Sequence, residues 1–178
     1  MDAKLEALKE LNQRLTPPRE LGGVFLPVGV KEQFEIMFVA EMPSMNEPKN
    51  EEGKALNFNF GITAKDRLLI NMMKKYGVAG SYVTDIVKER DIPRKPTKEE
   101  IRKWLPFLLE EVRIIQPRAI IVLGKRTYEA SFRPYVEPAI PSEIKIDYVF
   151  HYSQQGAKTN LEVEQRFSEV VLKIKNSV

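Results

Sequence analysis

Cysteine is absent from the 178-residue chain, and histidine occurs once, at His151. The first absence excludes a disulfide scaffold, a Cys-ligated zinc or iron–sulfur site and thiol catalysis together. The second excludes a His-rich metal centre, and no metal or other cofactor is expected. Long apolar runs are also missing. No stretch approaches the ~20 uncharged apolar residues of a membrane helix, so no membrane role is expected. The opening Met1-Asp2-Ala3-Lys4-Leu5-Glu6 has no apolar core of the secretion-signal type, which leads to the expectation of a cytoplasmic protein. Neither charge sign dominates. The net charge of +3, with a pI near 9.0, permits an anionic partner without requiring one.

What is present is the composition of a folded chain: 43% hydrophobic and 30% charged residues, too apolar for disorder. Abundant Lys and Glu without Cys suit a thermophile. The length fits one domain over residues 1–178, with no repeat or linker to divide it.

Periodicity alternates between helix and strand. Leu5, Leu8, Leu11 and Leu15 mark a first helix, stopped by Pro17-Pro18. Four apolar, β-prone runs read as strands: Phe34 to Ala40, Ser81 to Val87, Ala119 to Leu123 and Ile144 to Phe150. Between them, helices open at Thr63 with Asp66 three residues on, and at Thr97 with Glu100 three residues on, both capping-box spacings. Pro106 lies inside the second of these helices and is expected to kink it. A short helix about Lys125 to Ser131 and a last one from Thr159 or Asn160 to Lys175 complete the series; residues 132–143 carry no assignable pattern. Parallel strands require crossovers, so this order predicts a three-layer α/β/α sandwich around a central, mostly parallel four-stranded sheet.

Open α/β sheets bind ligands beyond the carboxyl ends of their strands. The residues there are Glu41 after the first predicted strand, Asp85 near the end of the second, Gly124 after the third and His151 after the fourth. Two carboxylates and the one imidazole on a shared rim suit acid/base or charge-stabilising hydrolysis. Each, taken singly, also reads as a capping or surface residue. The loop after the second strand holds Lys88, Arg90, Arg94, Lys95 and Lys98 against Glu89 and Asp91, a local excess of three positive charges. Such a loop suits phosphate contact or is simply solvated.

The order of short motifs resembles the uracil-DNA glycosylase superfamily, and most closely its branch that typically carries a four-iron, four-sulfur cluster. The residues that carry the resemblance are Ala40-Glu41-Met42-Pro43-Ser44, Phe58-Asn59-Phe60-Gly61, Tyr82-Val83-Thr84-Asp85-Ile86-Val87-Lys88, Pro96-Thr97-Lys98-Glu99-Glu100-Ile101 with Pro106-Phe107-Leu108, Pro117 to Gly124, and His151-Tyr152-Ser153. It covers residues 34–153 in order. The resemblance implies a monofunctional, metal-independent enzyme that hydrolyses the N-glycosidic bond of a damaged base in DNA, acting as a monomer. Glu41 would orient the water, and His151 would hydrogen-bond the departing base. Phe60 would stack on the extruded base and Asp85 would read its edge, with Ala40 and Met42 also against it. Pro43, Ser44, Lys88, Ser153 and Gln154 would lie along the DNA.

Departures from the family pattern are specific. All four cluster cysteines are missing, Trp104 falls about where one is expected, and packing would replace the metal. The first motif's glycines are Ala40 and Ser44, the second motif's Pro is Tyr152, and Asp85 stands where uracil-excising members usually have Asn. An amide both donates and accepts, whereas an ionised Asp only accepts, so a shifted base preference or reduced uracil activity is expected. Two other classes stay open: a catalytically silent DNA-binding relative, and a nucleoside or nucleotide hydrolase using the same rim.

Overall fold

The computed structural model describes residues 3–14, 22–43, 54–56, 63–89, 94–153 and 158–177. Its central strands are the four apolar runs, here β2 (Ile36–Ala40), β4 (Tyr82–Asp85), β5 (Ala119–Leu123) and β6 (Lys145–Val149). Every residue of β2, β4 and β5 is buried, as expected of parallel strands covered on both faces. They run parallel in the spatial order β4-β2-β5-β6, with Phe38 level with Val83 on one side and Ile121 on the other.

The sheet has six strands, not four. β1 (Gly22–Phe25) pairs antiparallel with β4, and the three-residue β3 (Lys54–Leu56) pairs antiparallel with β1, giving β3-β1-β4-β2-β5-β6. β1 escapes a pattern reading because it opens Gly22-Gly23. The glycine is needed there: a Cβ on Gly22 would come within 2.6 Å of the Tyr82 hydroxyl and of the Val83 carbonyl.

Alternation along β2 divides the core. Ile36, Phe38 and Ala40 face α2 (Ala64–Lys75) and α6 (Asn160–Lys175), where Phe38 and Phe167 stack with centroids 5.8 Å apart. Met37 and Val39 face α1 (Ala3–Gln13) and α3 (Lys98–Ile115), meeting Leu8, Trp104 and Leu108. These are the three expected layers.

Three helices start on the same device. Thr63, Thr97 and Thr159 each accept from the backbone N–H three residues on, while Asp66, Glu100 and Glu162 reach back to the cap's own N–H. α3 continues through Pro106 and ends at Gln116, whose φ of 51° is left-handed.

After β5 the chain departs from the expected short helix. α4 (Lys125–Thr127) passes into a π turn over Tyr128–Phe132 and then α5 (Arg133–Tyr135), followed by a 3₁₀ turn at Glu137–Ala139. The Arg133 N–H reaches the Tyr128 carbonyl, five residues back. Pro134 gives a physical reason for the widening: it has no N–H, and its ring would crowd the Ala130 carbonyl in an uninterrupted α-helix.

Candidate active site

Along the parallel strands the connections run one way from β2 to β4 and the other way from β5 to β6. The reversal falls between β2 and β5, and their carboxyl ends open a crevice there. A cavity of about 520 Å³ occupies it, lined by Glu41, Gly124, Thr127, Phe150 and His151, with Lys95, Lys125, Arg126, Lys158 and Glu129 around them.

Glu41 follows β2 directly. Its backbone is clamped to the segment after β4, because the Val87 N–H donates to the Glu41 carbonyl at 3.1 Å and the Ile86 N–H to the Ala40 carbonyl at 2.9 Å. Its half-buried carboxylate accepts one hydrogen bond, from the Ser131 hydroxyl to Oε1 at 2.9 Å.

His151 follows β6. The Ser153 N–H lies 3.1 Å from Nδ1 and the Ser153 Oγ 2.6 Å from it. A backbone N–H can only donate, so Nδ1 is the acceptor and the proton of the neutral ring resides on Nε2. Burial pushes the imidazole pKa down to about 4, against the smaller upward pull of the Asp66 carboxylate. The ring stacks on Tyr152 at 4.5 Å between centroids and leans on Gly124. A Cβ at Gly124, where φ is +117°, would stand 3.5 Å from the His151 Cβ and Cδ2 and 3.2 Å from the Thr127 hydroxyl. Glycine is therefore the residue that admits this arrangement.

Asp85 takes a different place from Glu41 and His151. It ends β4 beside Ala40, is 3% exposed, and is not among the residues described as lining the cavity. It lies on the α2 side, where its charge and that of Asp66, together with burial, raise the Tyr152 phenol. Ala40 and Pro43 are buried and Met42 is half-buried. None of these three lines the described cavity. Phe58, Phe60, Ser44 and Gln154 fall outside the described residues. Ser153, expected along the DNA, uses its hydroxyl and N–H on His151.

Lys88 is corrected. Expected on DNA phosphates, it is 2% exposed, and its ammonium sits 2.7 Å from Glu111 Oε2 and 2.6 Å from Thr84 Oγ1 and donates to the Asp85 carbonyl. All three N–H donors are thereby satisfied. Tyr82 and Thr84 donate to the other Glu111 oxygen at 2.6 and 2.8 Å. The surrounding cations are also partly committed: Arg94 forks onto Glu100, and Lys103 pairs with Glu89.

Four cavity cations come from this geometry. Lys125 and Arg126 directly follow Gly124, so their place at a strand end was readable; Lys158 had no local signal, and Lys95 was read only as part of a charged loop. Ser131 was also unread as a site residue. Among the described residues no group of three or more His, Cys, Asp or Glu is placed to hold a metal ion, and no helix is long and apolar enough to cross a membrane.

Comparison with known proteins supplies a family. The model of the uracil DNA glycosylase superfamily matches residues 27–173. The chain is 33% identical over 92 residues to a Type-4 uracil-DNA glycosylase of Pyrobaculum aerophilum, covering 50% of this chain and 43% of that protein. It is 34% identical over 102 residues to the protein of that name from Sulfurisphaera tokodaii, covering 55% and 43%. For the one from Archaeoglobus fulgidus the figures are 31% over 104 residues, 57% and 49%. The matched stretch thus spans less than half the length of each of these relatives.

Two outcomes test the geometry. With one histidine in the chain, its imidazole signals in an NMR titration are unambiguous: His151 should titrate near 4 with the proton on Nε2. A midpoint near 6.5 would contradict its burial. Because this folded-state pKa lies below the unfolded value, His151 makes stability decline as pH falls from about 6.5 towards 4. For the buried pair, Lys88→Met should cost about 3–5 kcal/mol in urea denaturation by stranding Glu111, and Lys88→Met/Glu111→Leu should recover much of that loss. A single-variant loss under about 1 kcal/mol would show the pair to be solvated.

Proposed function

Because the chain belongs to the uracil-DNA glycosylase superfamily, we propose that its cavity hydrolyses the N-glycosidic bond of a damaged, deaminated base in DNA. The observation that carries this reading is the pairing of Glu41 and a neutral His151 on one crevice at the carboxyl edge of the sheet.

The chemistry follows from what each group can do. Cleaving the bond between sugar C1′ and the base nitrogen leaves positive charge on the sugar and negative charge on the base. The Glu41 carboxylate stands opposite the first charge and takes a proton from the water that adds to C1′. The His151 Nε2–H donates to a base carbonyl as the second charge grows. A neutral imidazole gives up its proton reluctantly, so the base departs as an anion and is protonated by solvent. No lysine adds to the sugar in this scheme, which makes the enzyme monofunctional. The base must leave the stack to reach the crevice, and Lys95, Lys125, Arg126 and Lys158 are placed to meet backbone phosphates.

The cluster typical of the branch does not fit these residues. The chain has no cysteine, and Trp104, near an expected ligand position, is an indole 4% exposed and packed on Phe107 at 5.4 Å. No step passes through such a group, and the reaction is read as metal-independent.

Asp85 supports a change of substrate edge. An ionised carboxylate opposes the uracil O4 that an Asn amide would satisfy, and suits a base that presents donors. The same residue supports the second reading, a DNA-binding relative that no longer turns over.

Release of uracil, hypoxanthine or xanthine from labelled oligonucleotides, single-stranded and paired, tests both readings. Glu41→Ala and His151→Ala should each lower release by about 10²–10³-fold. Binding without release in the native protein would establish the silent relative. Asp85→Asn should shift preference towards uracil; an unchanged order of substrates removes Asp85 from base reading.

A further inference from the structure

We infer that Ser131 is a positioning residue for Glu41, delivered to it by the π turn after β5. The inference rests on the proposed role of Glu41 and adds a group that neither the sequence motifs nor the family assignment supplies.

Serine inside a helix ordinarily turns its hydroxyl onto a carbonyl three or four residues back. Ser131 does not. It is 5% exposed, and its hydroxyl donates to Glu41 Oε1 at 2.9 Å, a contact spanning 90 residues of sequence. No other side chain is recorded on that carboxylate among the described residues. Oε1 is therefore engaged, which fixes the rotation of a carboxylate that must hold one lone pair on the attacking oxygen.

The backbone explains why this serine arrives there. Phe132, the next residue, is fully buried, and Tyr128 stacks on Tyr148 with centroids 5.3 Å apart. Both aromatic anchors hold the ends of the π turn. The additional residue in that turn changes which side chain faces the end of β2. π turns of this kind occur frequently at functional sites, and Glu129 of this one lines the crevice.

Steady-state base release by the native protein, Ser131→Ala, Ser131→Thr, Glu41→Ala and the Ser131→Ala/Glu41→Ala double variant tests the inference on the substrate with highest turnover. Ser131→Ala should lower kcat about 10- to 100-fold, as a misplaced catalytic group does, with KM and Tm little changed. Ser131→Thr, which keeps the hydroxyl, should retain most of kcat. In the Glu41→Ala background the serine change should have no further effect, because it acts only through that carboxylate. Native kcat in Ser131→Ala, an equal loss in the Ala and Thr variants, or an additive loss in the double variant would each overturn the inference. If Glu41→Ala is silent and Ser131→Ala is native, the role of Glu41 stands and only the positioning claim fails. If Glu41→Ala retains native release, both fail.

Discussion

The buried ion pair between Lys88 and Glu111 is the constraint on which the carboxyl edge of the sheet depends. Charges this far from water survive only when every donor and acceptor is matched. Here the ammonium has Thr84, the Asp85 carbonyl and Glu111, and the carboxylate has Tyr82 and Thr84 as well. The network therefore ties the end of β4 to the C-terminal part of α3, which the backbone alone does not connect. Asp85 and the Val87 N–H that clamps Glu41 follow from where that strand end is held, and through Glu41 so does one side of the crevice.

Histidine is managed in the opposite way. Lys88 is surrounded by acceptors, whereas His151 is held neutral by desolvation, with Asp66 too weak to reverse the effect. Gly124 supplies the backbone for this arrangement, because its φ of +117° is one that other residues rarely adopt. The result is a crevice with a negative group at one strand end and a neutral hydrogen-bond donor at another. That separation suits a reaction in which opposite charges develop at the two ends of one breaking bond.

Much of this was legible in the sequence, for identifiable reasons. Ile36–Ala40 and Ala119–Leu123 are uninterrupted apolar runs, and the Thr-x-x-Asp/Glu spacings announced two helix starts, at Thr63 and Thr97. Glu41 and His151 both line the cavity, at the strand ends where such sheets bind. β1 and β3 were not found: one opens on two glycines, and the other is three residues long and ends at Leu56 with φ of 59°. Lys88 was misread because a run of charges looks solvated, and its partner lies 23 residues away on the buried face of α3. Ser131 was missed because a helix read at α periodicity places it wrongly.

The π turn also makes chain length a determinant of the crevice. Removing one residue between Gly124 and Ser131 would turn the serine by about 100° round the helix axis and withdraw its hydroxyl from β2. The same rotation would carry the buried Phe132 and Val136 out of register with the core, so the contact and the local packing are tied to one chain length. Across a lineage, the wiring at this edge can therefore be altered by a three-base deletion upstream as well as by substitution of the serine itself.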